Sequence, residues 1–208
     1  MTFAMHSTSP RTAAAALIDA CCTAIETHAS YLDELDAAIG DGDHGTNMRR
    51  GALAVRRLDG IGVLSRGAAL RAIGETAIMS IGGAAGPLYG TLFAELGRGL
   101  PDNDPAAAPG PALVRAVDAV ARRGRSQPGD KTMLDVLYPL RDAVLGGASW
   151  REIGRAAPSW AEATRDLRAL KGRASYLGER SIGHVDPGAA SAALIIAAAC
   201  SVLTGDTP

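Results

Sequence analysis

Apolar positions along the chain recur every three or four residues and do not alternate with polar ones over a strand-length window. Leu17, Cys21, Ile25, Leu32 and Leu35 fall at helical spacing, with Ser9 and Pro10 as N-cap and first helical residue. The pattern predicts a first helix that runs up to an acidic segment beginning at Asp36. A second helix is expected from just after His44 to about Leu58, and a third from Ser65 to Ser80, ended by Gly82 and Gly83. Pro87 suits the first turn of a fourth. Pro101 to Pro111 holds four prolines and two aspartates and reads as a surface loop. Further helices are predicted over 111–123, 131–145 and 150–170. A glycine-containing loop then runs from Gly172 to Asp186, where Asp186 and Pro187 open a last helix as N-cap and N1. The fold class is therefore all-α, with about eight helices, no repeat of fixed period, and a single domain over residues 1–208.

Composition narrows the partners more than the fold. With 47% apolar and 21% charged residues, 208 residues suffice for one sizeable core. A net charge of −1 does not supply the basic surface that a nucleic acid or an anionic membrane requires. Cys21, Cys22 and Cys200 form no even-numbered framework and no metal-like spacing, which fits a reducing compartment and buried thiols. The start MTFAMHSTSP lacks the basic and apolar regions of a signal peptide. Ala189 to Leu203 is shorter than the ~20 residues of a bilayer span and carries Ser191 and Ser201, so it reads as a buried helix. The expected location is the cytoplasm.

The glycine-rich stretches, 40–45, 82–90, 124–129 and 172–188, all fall at predicted helix ends. Helix N-termini offer free N–H groups and partial positive charge, so several of them gathered at one end of a bundle would bind phosphate. Any one of these stretches alone also serves simply to stop a helix.

Asp36, Asp41 and Asp43 place three carboxylates within eight residues, the last two flanking Gly42. Such charges repel one another unless a cation neutralises them, and carboxylate ligands without thiolates favour magnesium, manganese or calcium. Counted from Asp41, the glycine and glutamate positions of an EF-hand hold Thr46 and Ala52, which excludes that motif. Asp43 would equally suit a helix cap on a solvated turn. His44 has no partner at zinc spacing and is read as a phosphate contact or a structural loop residue. Gly124 to Thr132, GRSQPGDKT, misses the P-loop by one residue and follows a helix, not a strand; Lys131 and Thr132 stay as candidate phosphate neighbours or caps.

Taken together, DAAIGDGDHGTNMRRG (36–51), GGAAGPLYG (82–90), PGDKTML (128–134) and KGRASYLGERSIGHVDPGAAS (171–191) resemble the DhaL family, the nucleotide-binding subunit or domain of dihydroxyacetone kinases. The resemblance implies an antiparallel eight-helix barrel with ADP or ATP held at one end through two magnesium ions. It implies that Asp36, Asp41 and Asp43 bind metal, and that His44, Gly45, Thr46 and Asn47 form a phosphate-binding turn. Ala84, Ala85, Gly124, Met133, Arg173, Asp186, Pro187 and Gly188 would line the nucleotide. The family often has GGASG where this chain has GGAAG, so Ala85 lacks a hydroxyl but keeps its N–H.

By the same resemblance the chain is a phosphotransferase active only with partners. The γ-phosphoryl passes to dihydroxyacetone on a second kinase subunit, and the nucleotide is recharged by a phosphocarrier of a phosphotransferase system. An ATP-using kinase for dihydroxyacetone or a related acceptor, and a non-catalytic nucleotide sensor docking on a regulator, are the alternatives. A homodimer is the expected assembly. The loop from Gly172 to Asp186, with Arg173 and Arg180, is expected to close over the nucleotide.

Overall fold

The structure, a computed structural model, describes residues 10–101 and 108–206. The predicted cap Ser9 and residues 102–107 of the proline-rich loop lie outside the described residues. Among those described there are nine α-helices: α1 (Pro10–Thr27), α2 (Ala29–Ile39), α3 (His44–Arg56), α4 (Arg66–Ser80), α5 (Ala85–Gly99), α6 (Gly110–Gly124), α7 (Leu134–Leu145), α8 (Trp150–Glu162) and α9 (Pro187–Thr204). No strand occurs among them.

Each helix packs on its successor from α3 to α9, while α1 packs on both α3 and α9, so the ring closes. Short connections between neighbouring helices make them antiparallel. This arrangement explains a regularity of the sequence. In an up-and-down ring every second connection lies at the same end, so residues 40–43, 81–84, 125–133 and 163–186 share one end. The N-termini of α3, α5, α7 and α9 therefore gather there.

The interior is built largely from small and branched aliphatic residues. Leu32, Ala116, Val117, Leu134, Val136, Leu137, Ile153, Ala157 and Ala189 are all essentially inaccessible. Alanine and glycine let the helices approach closely: a Cβ added at Gly74 of α4 would lie 2.7 Å from the Ala94 backbone N of α5. Few aromatics are needed because little space is left between helices. α9 is the one helix among the described residues long and apolar enough to cross a bilayer, but here it packs between α1 and α8 with eight residues buried.

Three predicted boundaries change. The first helix breaks at His28, whose backbone lies at φ −102°, ψ 12° and whose Nδ1 donates to Ala24 O at 2.8 Å. The helix expected over 131–145 begins only at Leu134. Lys131 has φ +61°, and the Asp135 carboxylate accepts from Gly129 N at 2.5 Å and Thr132 N at 2.7 Å, capping the helix later. The helix expected over 150–170 stops at Glu162 and passes into a 3-10 turn, Ala163–Asp166. There Lys131 Nζ takes the carbonyls of Thr164 and Leu167 at 2.7 and 3.1 Å and draws them out of the helical ladder. The loop expected over 172–186 itself contains 3-10 turns, Arg173–Ser181, interrupted at Gly178.

Candidate functional site

The acidic loop joins α2 to α3 through Gly42, whose φ of +77° suits glycine. Asp43 occupies the N-cap position of α3, yet its side chain makes no capping bond. Asp36 caps the helix instead. Its Oδ2 accepts from Asp43 N at 2.9 Å and His44 N at 3.2 Å, reaching across from the last turn of α2. Asp33, one turn earlier, accepts from Thr46 N at 2.9 Å and Thr46 Oγ1 at 2.7 Å. The capping of α3 thus comes from the neighbouring helix, which leaves the Asp43 carboxylate free for other work.

The result is a cluster of oxygens. One carboxylate oxygen each from Asp36, Asp41 and Asp43 lies within 4.8 Å of the others, and Asp41 and Asp43 are exposed. Arg173 NH1 sits 2.6 Å from Asp41 Oδ2, tying the 172–186 loop to the cluster. Glycine permits the crowding: a Cβ at Gly40 would lie 2.1 Å from Asp36 Oδ1. An all-oxygen donor set open on one side fits a hard divalent cation that keeps part of its shell for other ligands.

The remaining predicted residues surround this cluster. Ala84 and Ala85 begin α5 after Gly83, whose φ is +63° and around which a Cβ would meet nothing within 4 Å. Gly82 lies against Asn47, whose Oδ1 would be 2.4 Å from an added Cβ and which accepts from Arg50 NH2 at 2.9 Å. Gly124 ends α6 beside Leu88 of α5, and Met133, 4% exposed, precedes α7. Gly188 lies against Met133, so the starts of α7 and α9 adjoin. Asp186 caps α9 by accepting from Ala189 N at 2.7 Å. Burial pushes its carboxyl up to about 7, against the opposing pull of the Ala189 N–H. The structure thus gathers His44–Asn47, Ala84, Ala85, Gly124, Met133, Arg173 and Asp186–Gly188 at the end that holds the aspartates.

His44 is fixed inward, its Nε2 2.9 Å from Ser191 Oγ, which is also 2.7 Å from the Tyr89 hydroxyl. Burial holds the imidazole below its usual pKa, although Asp36, Asp33 and Asp43 act the other way. Sequence reading did not single out Tyr89 and noted Ser191 only as a polar residue in an apolar helix. A serine near the start of an otherwise apolar helix was the available signal.

Lys131 is not a phosphate neighbour. It is 1% exposed and does not face the site; Nζ is bound to the carbonyls of Thr164, Leu167 and His184. It holds the 163–186 segment to the start of α7. Removing the ammonium in Lys131→Met should leave those carbonyls unpaired and cost roughly 2 kcal/mol. For a chain of this size that is about 4–8 °C in Tm, measurable by calorimetry. An unchanged Tm would mean that water replaces the ammonium without penalty. A cleft of about 740 Å³, lined by Pro109, Leu145 and Trp150 among others, opens at the opposite end of the ring. The chemistry marks the other end.

Comparison with known proteins agrees with this geometry. The profile of the DAK2 domain matches residues 38–201. The "PEP-dependent dihydroxyacetone kinase 1, ADP-binding subunit DhaL" of Listeria innocua is 40% identical over 182 residues, covering 82% of this chain and 86% of that protein. The "D-erythrulose kinase" of Mycolicibacterium smegmatis is 40% identical over 193 residues, covering 85% of this chain but 33% of that protein. The crystal structure of the dihydroxyacetone kinase from C. freundii in complex with AMP-PNP and Mg2+ superposes with a TM-score of 0.73. It shares 24% identity, covers 95% of this chain and 37% of that one, and establishes likeness of fold.

Proposed function

The chain belongs to the DAK2 domain family, and from that premise we propose that it is the nucleotide-binding subunit of a dihydroxyacetone kinase. The observation that carries this reading is the meeting of three clustered carboxylates with the N-termini of α3, α5, α7 and α9 at one end of the barrel. Asp36, Asp41 and Asp43 hold magnesium, in the family's manner two ions, which would supply the positive charge that a phosphoryl group in transfer requires. His44 to Asn47 and the amides of Ala84 and Ala85 bind phosphates, where the missing hydroxyl at Ala85 has little effect. Gly124, Met133 and Asp186 to Gly188 line the remainder of the nucleotide. Arg173 links the 172–186 segment to Asp41 and would keep water from the phosphates.

Among the described residues no side chain at this end is placed as a nucleophile, so the contribution we propose is positioning and charge neutralisation. The acceptor then sits on a partner, the dihydroxyacetone-binding subunit, and a phosphocarrier of a phosphotransferase system restores the nucleotide. The protein would work in the cytoplasm, where its three free cysteines stay reduced. A homodimer is the proposed assembly. The likeness to a D-erythrulose kinase favours a second reading, in which ATP exchanges freely and the acceptor is a larger ketose.

Denaturing the purified protein and identifying the released nucleotide separates the two: retained ADP is expected for recharging in place, an empty site for exchangeable ATP. Ketose phosphorylation should require the partner subunit, and robust activity of this chain alone would overturn the assignment. Asp41→Asn should weaken magnesium-dependent ADP binding about tenfold without lowering Tm. Wild-type affinity in that variant would make Asp41 only a turn residue.

A further inference from the structure

Beneath the phosphate-facing end, polar groups of three helices meet inside the core: His44 at the start of α3, Tyr89 in α5 and Ser191 in α9. Ser191 is fully buried and Tyr89 is 1% exposed. Ser191 Oγ lies 2.9 Å from His44 Nε2, 2.7 Å from the Tyr89 hydroxyl and 3.0 Å from Gly188 O. A serine hydroxyl has one proton and two lone pairs, and a carbonyl only accepts. The Tyr89 hydroxyl also lies 3.4 Å from Gly188 O, farther than Ser191 Oγ; with the nearer Ser191 hydroxyl donating to Gly188 O, Tyr89 and His44 Nε2 both donate to Ser191. The other ring nitrogen, Nδ1, has no hydrogen-bond partner among the described residues, and no buried side-chain nitrogen or oxygen among them lacks one. Nδ1 therefore reaches the surface, at the start of α3.

We propose that Ser191, backed by Tyr89, is the positioning residue of the phosphate subsite: it holds the His44 ring by Nε2 so that Nδ1 faces the bound phosphate. This rests on the nucleotide reading above. To meet a phosphate oxygen the neutral ring must carry its proton on Nδ1. A hydroxyl permits that exchange, because the Ser191 O–H rotates from Gly188 O to Nε2 while Tyr89 continues to donate to Ser191. The ring's charge does not change; the proton leaves Nε2 and is regained at Nδ1 through solvent. Tyr89 and Ser191 thus act through His44 and do not touch the nucleotide.

The test is a double-mutant cycle on Mg-ADP affinity, measured calorimetrically for the wild type, Ser191→Ala, His44→Ala and the pair. Ser191→Ala should lose about tenfold in affinity, and the pair should be no weaker than His44→Ala, since the serine acts only through the ring. Tyr89→Phe keeps the aromatic packing on Phe93 and takes the place of Ser191→Ala in the cycle should that variant fail to fold. Ring-nitrogen NMR supplies a signature that mere packing would not move: the His44 proton resides on Nε2 in the free protein and on Nδ1 once Mg-ADP is added. Wild-type affinity in Ser191→Ala, losses that add in the double variant, or a proton that stays on one nitrogen would each overturn the proposal. Failure of the wild type to bind Mg-ADP at all would overturn the nucleotide reading, and this inference with it.

Discussion

Gly45→Ala should lower Tm by about 6–12 °C and abolish the ordered acidic loop. A Cβ at this position would lie 1.8 Å from Ala29 O, 2.7 Å from the Ala29 carbonyl carbon and 3.0 Å from Asp33 N. All three are backbone atoms of α2, so no rotamer change relieves the overlap. The two helices must separate by an ångström or more, against a core that includes Leu32 and Met48 at the same interface. Overpacking of this kind costs roughly 3 kcal/mol, and about 2–4 °C is lost per kcal/mol in a chain of this size. The separation also breaks the bonds from Thr46 to Asp33 and from the Asp43 and His44 amides to Asp36. Differential scanning calorimetry checks the first effect and magnesium-dependent ADP binding the second. A Tm within about 2 °C of wild type would show that α2 and α3 are not held at this distance in solution.

Asp36→Ala should lose magnesium-dependent ADP binding on the order of a hundredfold and also destabilise the fold by about 1 kcal/mol. The two effects have separate causes within one carboxylate. Oδ2 caps α3 through the Asp43 and His44 amides, and Oδ1 faces Gly40. Asp36→Asn tells them apart, because an amide oxygen still accepts both N–H bonds while the charge that holds a cation is gone. The asparagine variant should keep Tm within about 1 °C and share the binding loss. If it binds Mg-ADP like the wild type, Asp36 is a cap and nothing more. This residue differs from Asp41, which is exposed and paired with Arg173, and whose substitution is expected to cost less.

The local features of the sequence carried over where their physical cause is local. Apolar residues at helical spacing gave the helical class, because that spacing places them on one face whatever lies opposite. Asp186 and Pro187 open α9 as expected, since a cap bonds to amides two or three residues away. The placement of glycines at helix ends was also readable, and the ring topology then brought alternate ends together.

Where the partner lies far along the chain, the sequence was silent or misleading. Asp43 looked like the cap of α3, but the group that bonds its first amides is Asp36, which reaches them because α2 folds back against α3. Lys131 read as a phosphate neighbour from a near-miss motif, and its ammonium turned out to bind carbonyls 33 to 53 residues away. His44 and Ser191 are separated by 147 positions, and no local pattern relates them. By itself the sequence determined the helices, their glycine-marked ends and the three aspartates. Closure of the ring decided which buried polar groups satisfy one another, because a hydrogen bond is worth making only where folding has removed the water that would otherwise take its place.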